Sequence, residues 1–95
     1  MQISISGTNV LIQGDIKTVS DYQTIKSNID ALAAQETRFI VKIPDSISIT
    51  SSIIGYFNKL ILKDKRDIEM HVGSRQLMEL LEELNLDTLF KAKKI

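Results

Sequence analysis

Apolar residues in this chain change period repeatedly along its length, and each change separates a strand from a helix. Only one Pro and four Gly interrupt its 95 residues, so regular elements must fill most of it. Residues 2–6 (QISIS) alternate polar and apolar through Ile3 and Ile5, the period of a half-buried strand. Gly7, Thr8 and Asn9 read as a tight turn into a second strand at 10–13, so the chain starts with a hairpin. A helix is expected from about Ser20, with Ser20 and Gln23 as its capping box. Tyr22, Ile25, Ile29, Leu32 and Ala33 form its apolar stripe, and it should end near Ala34–Gln35. Residues 38–43 (RFIVKI) are almost continuously apolar, which suits a central strand covered on both faces.

After Pro44-Asp45-Ser46, residues 51–63 read as one helix. At 100° per residue, Ile53, Ile54, Tyr56, Phe57, Leu60 and Ile61 share its core face. Ser51, Gly55, Asn58, Lys59 and Leu62 lie on the opposite stripe. Residues 68–72 (IEMHV) form a strand with Ile68, Met70 and Val72 on one side. Gly73-Ser74 then caps a helix with Leu77, Leu80, Leu81 and Leu84 at i, i+3, i+4, i+7. Asn85 suits the left-handed residue at its end. Residues 86–90 should close the core and KAKKI should fray. The expected fold is a small single-domain α/β protein of order β-β-α-β-α-β-α. It has an N-terminal hairpin, a mostly parallel sheet with right-handed crossovers, and three or more helices.

Charge narrows the functions open to such a domain. Twelve basic residues balance twelve acidic ones, and residues 1–50 and 51–95 carry net charges of only −1 and +1. No basic field exists to hold a phosphate backbone, so nucleic acid is not an expected partner. Lys91, Lys93 and Lys94 read as solubilising charges. No apolar run approaches the ~20 residues needed to cross a bilayer, and the N-terminus lacks a signal-peptide pattern. A cytoplasmic protein that does not insert into membranes is expected.

The residues that carry catalysis are sparse. Cysteine is absent, which removes thiol nucleophiles and thiolate metal sites. The single histidine, His71, falls on the polar side of a strand with no ligand spacing around it, so no metal is expected. A serine nucleophile would need that same histidine as its base. No Gly-rich phosphate loop is present, and no cofactor is expected. Glu82 and Glu83 are adjacent, hence about 100° apart on a helix, and read as a solvated face. Tyr22 and Tyr56 lie on core stripes and read as packing. The chain is not expected to be an enzyme.

Thr50-Ser51-Ser52 stands apart from this inventory. One hydroxyl suffices to cap the helix that starts there, because a cap satisfies only one or two of its free amides. Three in a row exceed that need. The stretch ISITSSIIGYFNKL resembles the signature of STAS domains, the anti-sigma-factor antagonist family. Those proteins read hydrophobic-Asp-Ser-Ser-Gly-Leu-Gly where a strand meets the second helix. Gln13-Gly14-Asp15-Ile16 resembles the family's Gly-acidic-aliphatic step, and LMELLEELNLDTLF resembles its last helix and following segment. The likeness runs from about Val10 to Phe90. Thr50 stands where the family has Asp, and Ile53 where it has its first Gly.

The resemblance implies a regulatory module that binds an anti-sigma factor or a related serine kinase of ATPase fold. Ser51 would be the phosphorylated residue, with Ser52 as the alternative. Thr50, Ser51, Ser52, Gly55, Asn58, Lys59 and Leu62 would form the partner surface, and the module would be a monomer or a weak homodimer. An accessory STAS module of a transporter or signalling complex, which needs no phosphorylated serine, is the alternative. A ligand at the sheet-end loops is a further reading, although no phosphate-cradling loop is visible there.

Overall fold

Hydrophobic period sets the elements. In the computed structural model, which describes residues 1–95, β1 (Gln2–Ser6) and β2 (Asn9–Gln13) form the hairpin. Its two-residue turn has Gly7 at φ 60°, where a Cβ would be strained, and Thr8 at an ordinary negative φ. That is the II′ pattern, whose twist matches paired strands. The chain continues through α1 (Val19–Ala33), β3 (Arg38–Ile43), α2 (Ser51–Asn58), a π turn (Lys59–Lys63), β4 (Asp67–Val72), α3 (Arg75–Glu83) and β5 (Lys93–Lys94). Three α-helices pack on a five-stranded sheet in which only the β1–β2 pair is antiparallel.

Strand order in the sheet equals order in the chain, β1-β2-β3-β4-β5. Each parallel crossover therefore steps the same way. With the right-handed connection that crossovers almost always take, all three helices fall on one face. Burial agrees. Val10, Ile12, Phe39, Val41, Ile43, Ile68, Met70 and Val72 are sealed under the helices. Their alternates Asn9, Leu11, Arg38, Ile40, Lys42, Asp67, Glu69 and His71 are exposed or half-buried. The expectation that 38–43 is covered on both faces is thus corrected: only Phe39, Val41 and Ile43 are. One-way winding leaves no helix for the other side. A single cluster of 20 buried residues forms the core, and the radius of gyration of 11.9 Å fits a folded chain of this length.

Three local expectations also change. Helix α1 is capped by Thr18, not Ser20, with Asp21 closing the box. The Asp21 carboxylate accepts from Lys17 N at 2.9 Å and Thr18 N at 3.1 Å. A carboxylate satisfies free N-terminal amides more strongly than the Gln23 amide would. The second helix is not α-helical through 63. Asp64 N donates to Lys59 O at 3.1 Å, an i→i+5 bond that widens its last turn. The C-terminal tail does not fray. Phe90 is fully buried, Ile95 N donates to Val72 O at 2.8 Å, and Lys93–Lys94 add a fifth strand beside β4. Asn85 ends α3 at φ 58° as expected.

Candidate functional site

Polar loop residues at the C-terminal ends of the strands bring the starts of α1 and α2 together. Asp45 Oδ2 accepts from Gly14 N at 2.9 Å, and Ser46 Oγ accepts from Ile16 N at 3.2 Å. Ser46 Oγ also donates to Ser48 O at 2.6 Å, which makes it the one fully buried polar side chain. Each bond joins a group in the loop before α1 to one in the loop before α2, or ties the second loop to itself. The two helix N-termini consequently face a shared shallow cleft of about 290 Å³, lined by Lys17, Thr18, Val19, Tyr22, Thr50 and Ser52.

The hydroxyl trio divides by position. Thr50 is the N-cap of α2: it is extended at φ −79°, ψ 160°, and its Oγ1 accepts from Ile53 N at 3.3 Å. Ser51 and Ser52 occupy the first two helical positions, both exposed. Ile53 turns wholly inward, so a branched side chain at that position takes no space on the surface. Gly55 is exposed, with nothing within 4 Å of where a Cβ would stand. Lys59 is exposed and pairs with Asp64 at 3.6 Å. Leu62 is 57% exposed. Asn58 departs from the expected stripe. It is half-buried, and its Oδ1 finds no donor in the chain.

The helix face behind this surface is held rigidly. Tyr56 is buried, packs edge-on against Tyr22 at 6.4 Å, and donates to Asp30 Oδ1 at 2.6 Å. Lys26 Nζ reaches Asp30 Oδ2 at 2.6 Å. Burial raises the Tyr56 phenol above its usual range, and the Asp30 carboxylate adds to that. Burial alone would raise Asp30 too, but hydrogen bonds from Lys26 and Tyr56 outweigh it and hold that carboxyl below its ordinary value. Tyr22 is therefore packing on one side and cleft wall on the other. Sequence reasoning did not bring it, Lys17, Thr18 or Val19 to the site. The available signal was the Thr18-x-x-Asp21 spacing, which sets the α1 start two residues earlier and aims it at α2.

The larger concavity lies elsewhere, on the open sheet face at the N-terminal ends of β3 and β4. It measures about 730 Å³. Its charges are paired among themselves. Asp67 accepts from Arg38 Nε at 2.9 Å and Lys91 Nζ at 2.6 Å, and Glu69 pairs closely with Lys93. Lys91 beside Asp67, and Lys93 beside Glu69, hold both carboxyls below their ordinary range. His71 Nε2 stands 3.4 Å from Glu69 Oε1 and makes no hydrogen bond. The volume favours this groove, but a ligand there would have to displace salt-bridge partners, whereas the hydroxyls of Ser51 and Ser52 are exposed and bond to nothing in the chain. No group of three or more His, Asp or Glu side chains converges on a point, and no helix is long and apolar enough to cross a membrane.

Comparison of the chain with family models, with curated proteins and with solved structures finds no match.

Proposed function

We propose that this domain is a regulatory protein-binding module of STAS type that engages its partner through the exposed stripe running from the start of α2 into the π turn after it. The reading rests on the sequence resemblance and, above all, on one observation: Ser51 and Ser52 are exposed on the first turn of a helix whose cap is already supplied by Thr50. Their hydroxyls have no structural duty left. Gly55, one turn on, lets another backbone come close, and Leu62 offers an apolar contact in the π turn that follows. The partner class is an anti-sigma factor or a related serine kinase of ATPase fold. The module has no catalytic step of its own.

In this reading a phosphate on Ser51 regulates binding and leaves the fold intact. It adds about −1.5 to −2 charges at neutral pH. The helix N-terminus, with its free amides and positive dipole end, tolerates that charge. The added bulk and charge act on the partner instead, and a loss of ~3 kcal/mol weakens binding about a hundredfold.

The test places a photo-crosslinking side chain at Leu62 and, as control, at Ile40 on the open face. The expected result is an adduct with a kinase-fold protein from position 62 alone, and Ser51→Glu should weaken that complex about a hundredfold. Adducts from position 40 alone, or binding unaltered by Ser51→Glu, would remove this function.

A further inference from the structure

The two edges of the sheet are finished in opposite ways. The β5 edge is two residues long, Lys93-Lys94, and short lysine-bearing edges resist further strand pairing. The β1 edge is five residues, Gln2–Ser6, with no charge, no Pro and no bulge in its register with β2. The first charged side chain in the chain is Asp15. No backbone hydrogen bond outside the β1–β2 ladder reaches residues 2–6. Alternate N–H and C=O groups along β1 therefore point away from the sheet with nothing in the fold to meet them.

The apolar layer is unfinished at the same edge. Ile5 pairs in register with Val10, and Ile3 with Ile12, which places both on the helix-covered side. Val10 and Ile12 are fully sealed, yet Ile5 stays 38% exposed because no strand lies beyond it.

We propose that β1 pairs antiparallel with β1 of a second copy of this chain, about a two-fold axis through Ser4. The strand is close to its own palindrome. Ile3 meets Ile5 of the second copy on the covered side, and Gln2 meets Ser6 of the second copy on the open side. Apolar meets apolar, polar meets polar, and no like charges oppose. The contact is isologous, so it closes at two chains instead of growing into a fibre. Five residues per chain bury far less than the ~1,200 Å² of a standard interface. The dimer is accordingly weak, with a dissociation constant on the order of 100 μM. It uses no residue of the α2 surface, so it stands or falls independently of the function proposed above.

Sedimentation across about 10 μM to 1 mM spans that constant. The wild type should pass from monomer to dimer, with amide exchange in Gln2–Ser6 slowing as concentration rises. Ser4 is exposed, so Ser4→Lys and Ser4→Glu should keep the monomer fold and its melting curve. Each variant places like charges face to face across the axis and should weaken association at least ~5-fold, and mixing the two should restore it. A wild type that stays monomeric, variants that associate as tightly as it does, or a mixture no tighter than either variant alone would each overturn the proposal.

Discussion

Phe39 and Ile40 are neighbours on one strand and meet different worlds. Phe39 lies in the sealed layer beneath the helices, and Ile40 lines the groove of the open face. The same contrast runs across the whole sheet. One side is a dry aliphatic and aromatic layer. The other is a lattice of paired charges built from Arg38, Asp67, Lys91, Glu69 and Lys93. The lesson is that a strand's apolar content does not report how many of its faces are covered. Winding direction decides that, because three crossovers in one direction put all the helices on one side.

The largest test of this asymmetry is the pair Phe39→Ala and Ile40→Ala. The first should cost about 3–5 kcal/mol through lost burial and a residual cavity, the second about 1 kcal/mol. Urea unfolding measures both, and equal losses would erase the distinction between the faces. Gly73→Ala probes how closely the loops crowd at the end of the covered layer. An added Cβ there would stand 2.2 Å from Pro44 O, so one backbone must move. A loss of about 1–3 kcal/mol is expected, read as a lowered denaturation midpoint with an unchanged slope. Removing a cap is smaller: Thr18→Ala and Thr50→Ala should each cost about 1 kcal/mol. Ser20→Ala should be near neutral, which separates the observed start of α1 from the one expected from sequence.

The open face should give the smallest effect, and one that depends on pH. Asp67 and Glu69 have carboxyls held below their ordinary range by the lysines beside them. A group with a lowered folded-state pKa stabilises above its unfolded value, near 4, and that contribution disappears as pH falls through the folded value. Asp21 and Asp30 on α1 act in the same direction. The melting temperature should therefore fall on acidification below about pH 4. Asp67→Asn should make that fall shallower and leave Phe39→Ala as damaging as before. An unchanged acid response in Asp67→Asn would mean that the open-face pairs contribute nothing.

Much of the architecture was legible in the residues because it follows from local period. The strands at 2–6, 38–43 and 68–72 and the left-handed Asn85 appear where the pattern put them, within one residue at the ends, and α3 buries Leu77 and Leu81 of its stripe but ends at Glu83, which leaves the expected core residue Leu84 exposed at the C-cap. The start of α1 was misread because two capping boxes compete within three residues, and the carboxylate of Asp21 prevails over the amide of Gln23. The π turn was invisible because apolar spacing through Leu60 and Ile61 is nearly the same for a tight and a widened turn. At the candidate site, the exposure of Ser51 and Gly55 on α2, and of Lys59 and Leu62 in the π turn after it, followed from 100° spacing. Asn58 did not: it sits at the border of that stripe, next to the core face, and is half-buried. Lys17, Val19 and Tyr22 joined the site only through the Asp45 and Ser46 bonds, which link residues about 30 positions apart.

Order and type of the early elements, and the outward hydroxyls of α2, were thus written in local periodicity, which backbone geometry converts directly into faces. The bare side of the sheet, the cleft between two helix starts and the fifth strand were decided by tertiary structure. KAKKI has no strand pattern of its own. It becomes a strand because burial of Phe90 carries the chain to the free edge of β4, where unpaired backbone groups and the carboxylates of Asp67 and Glu69 are waiting for it.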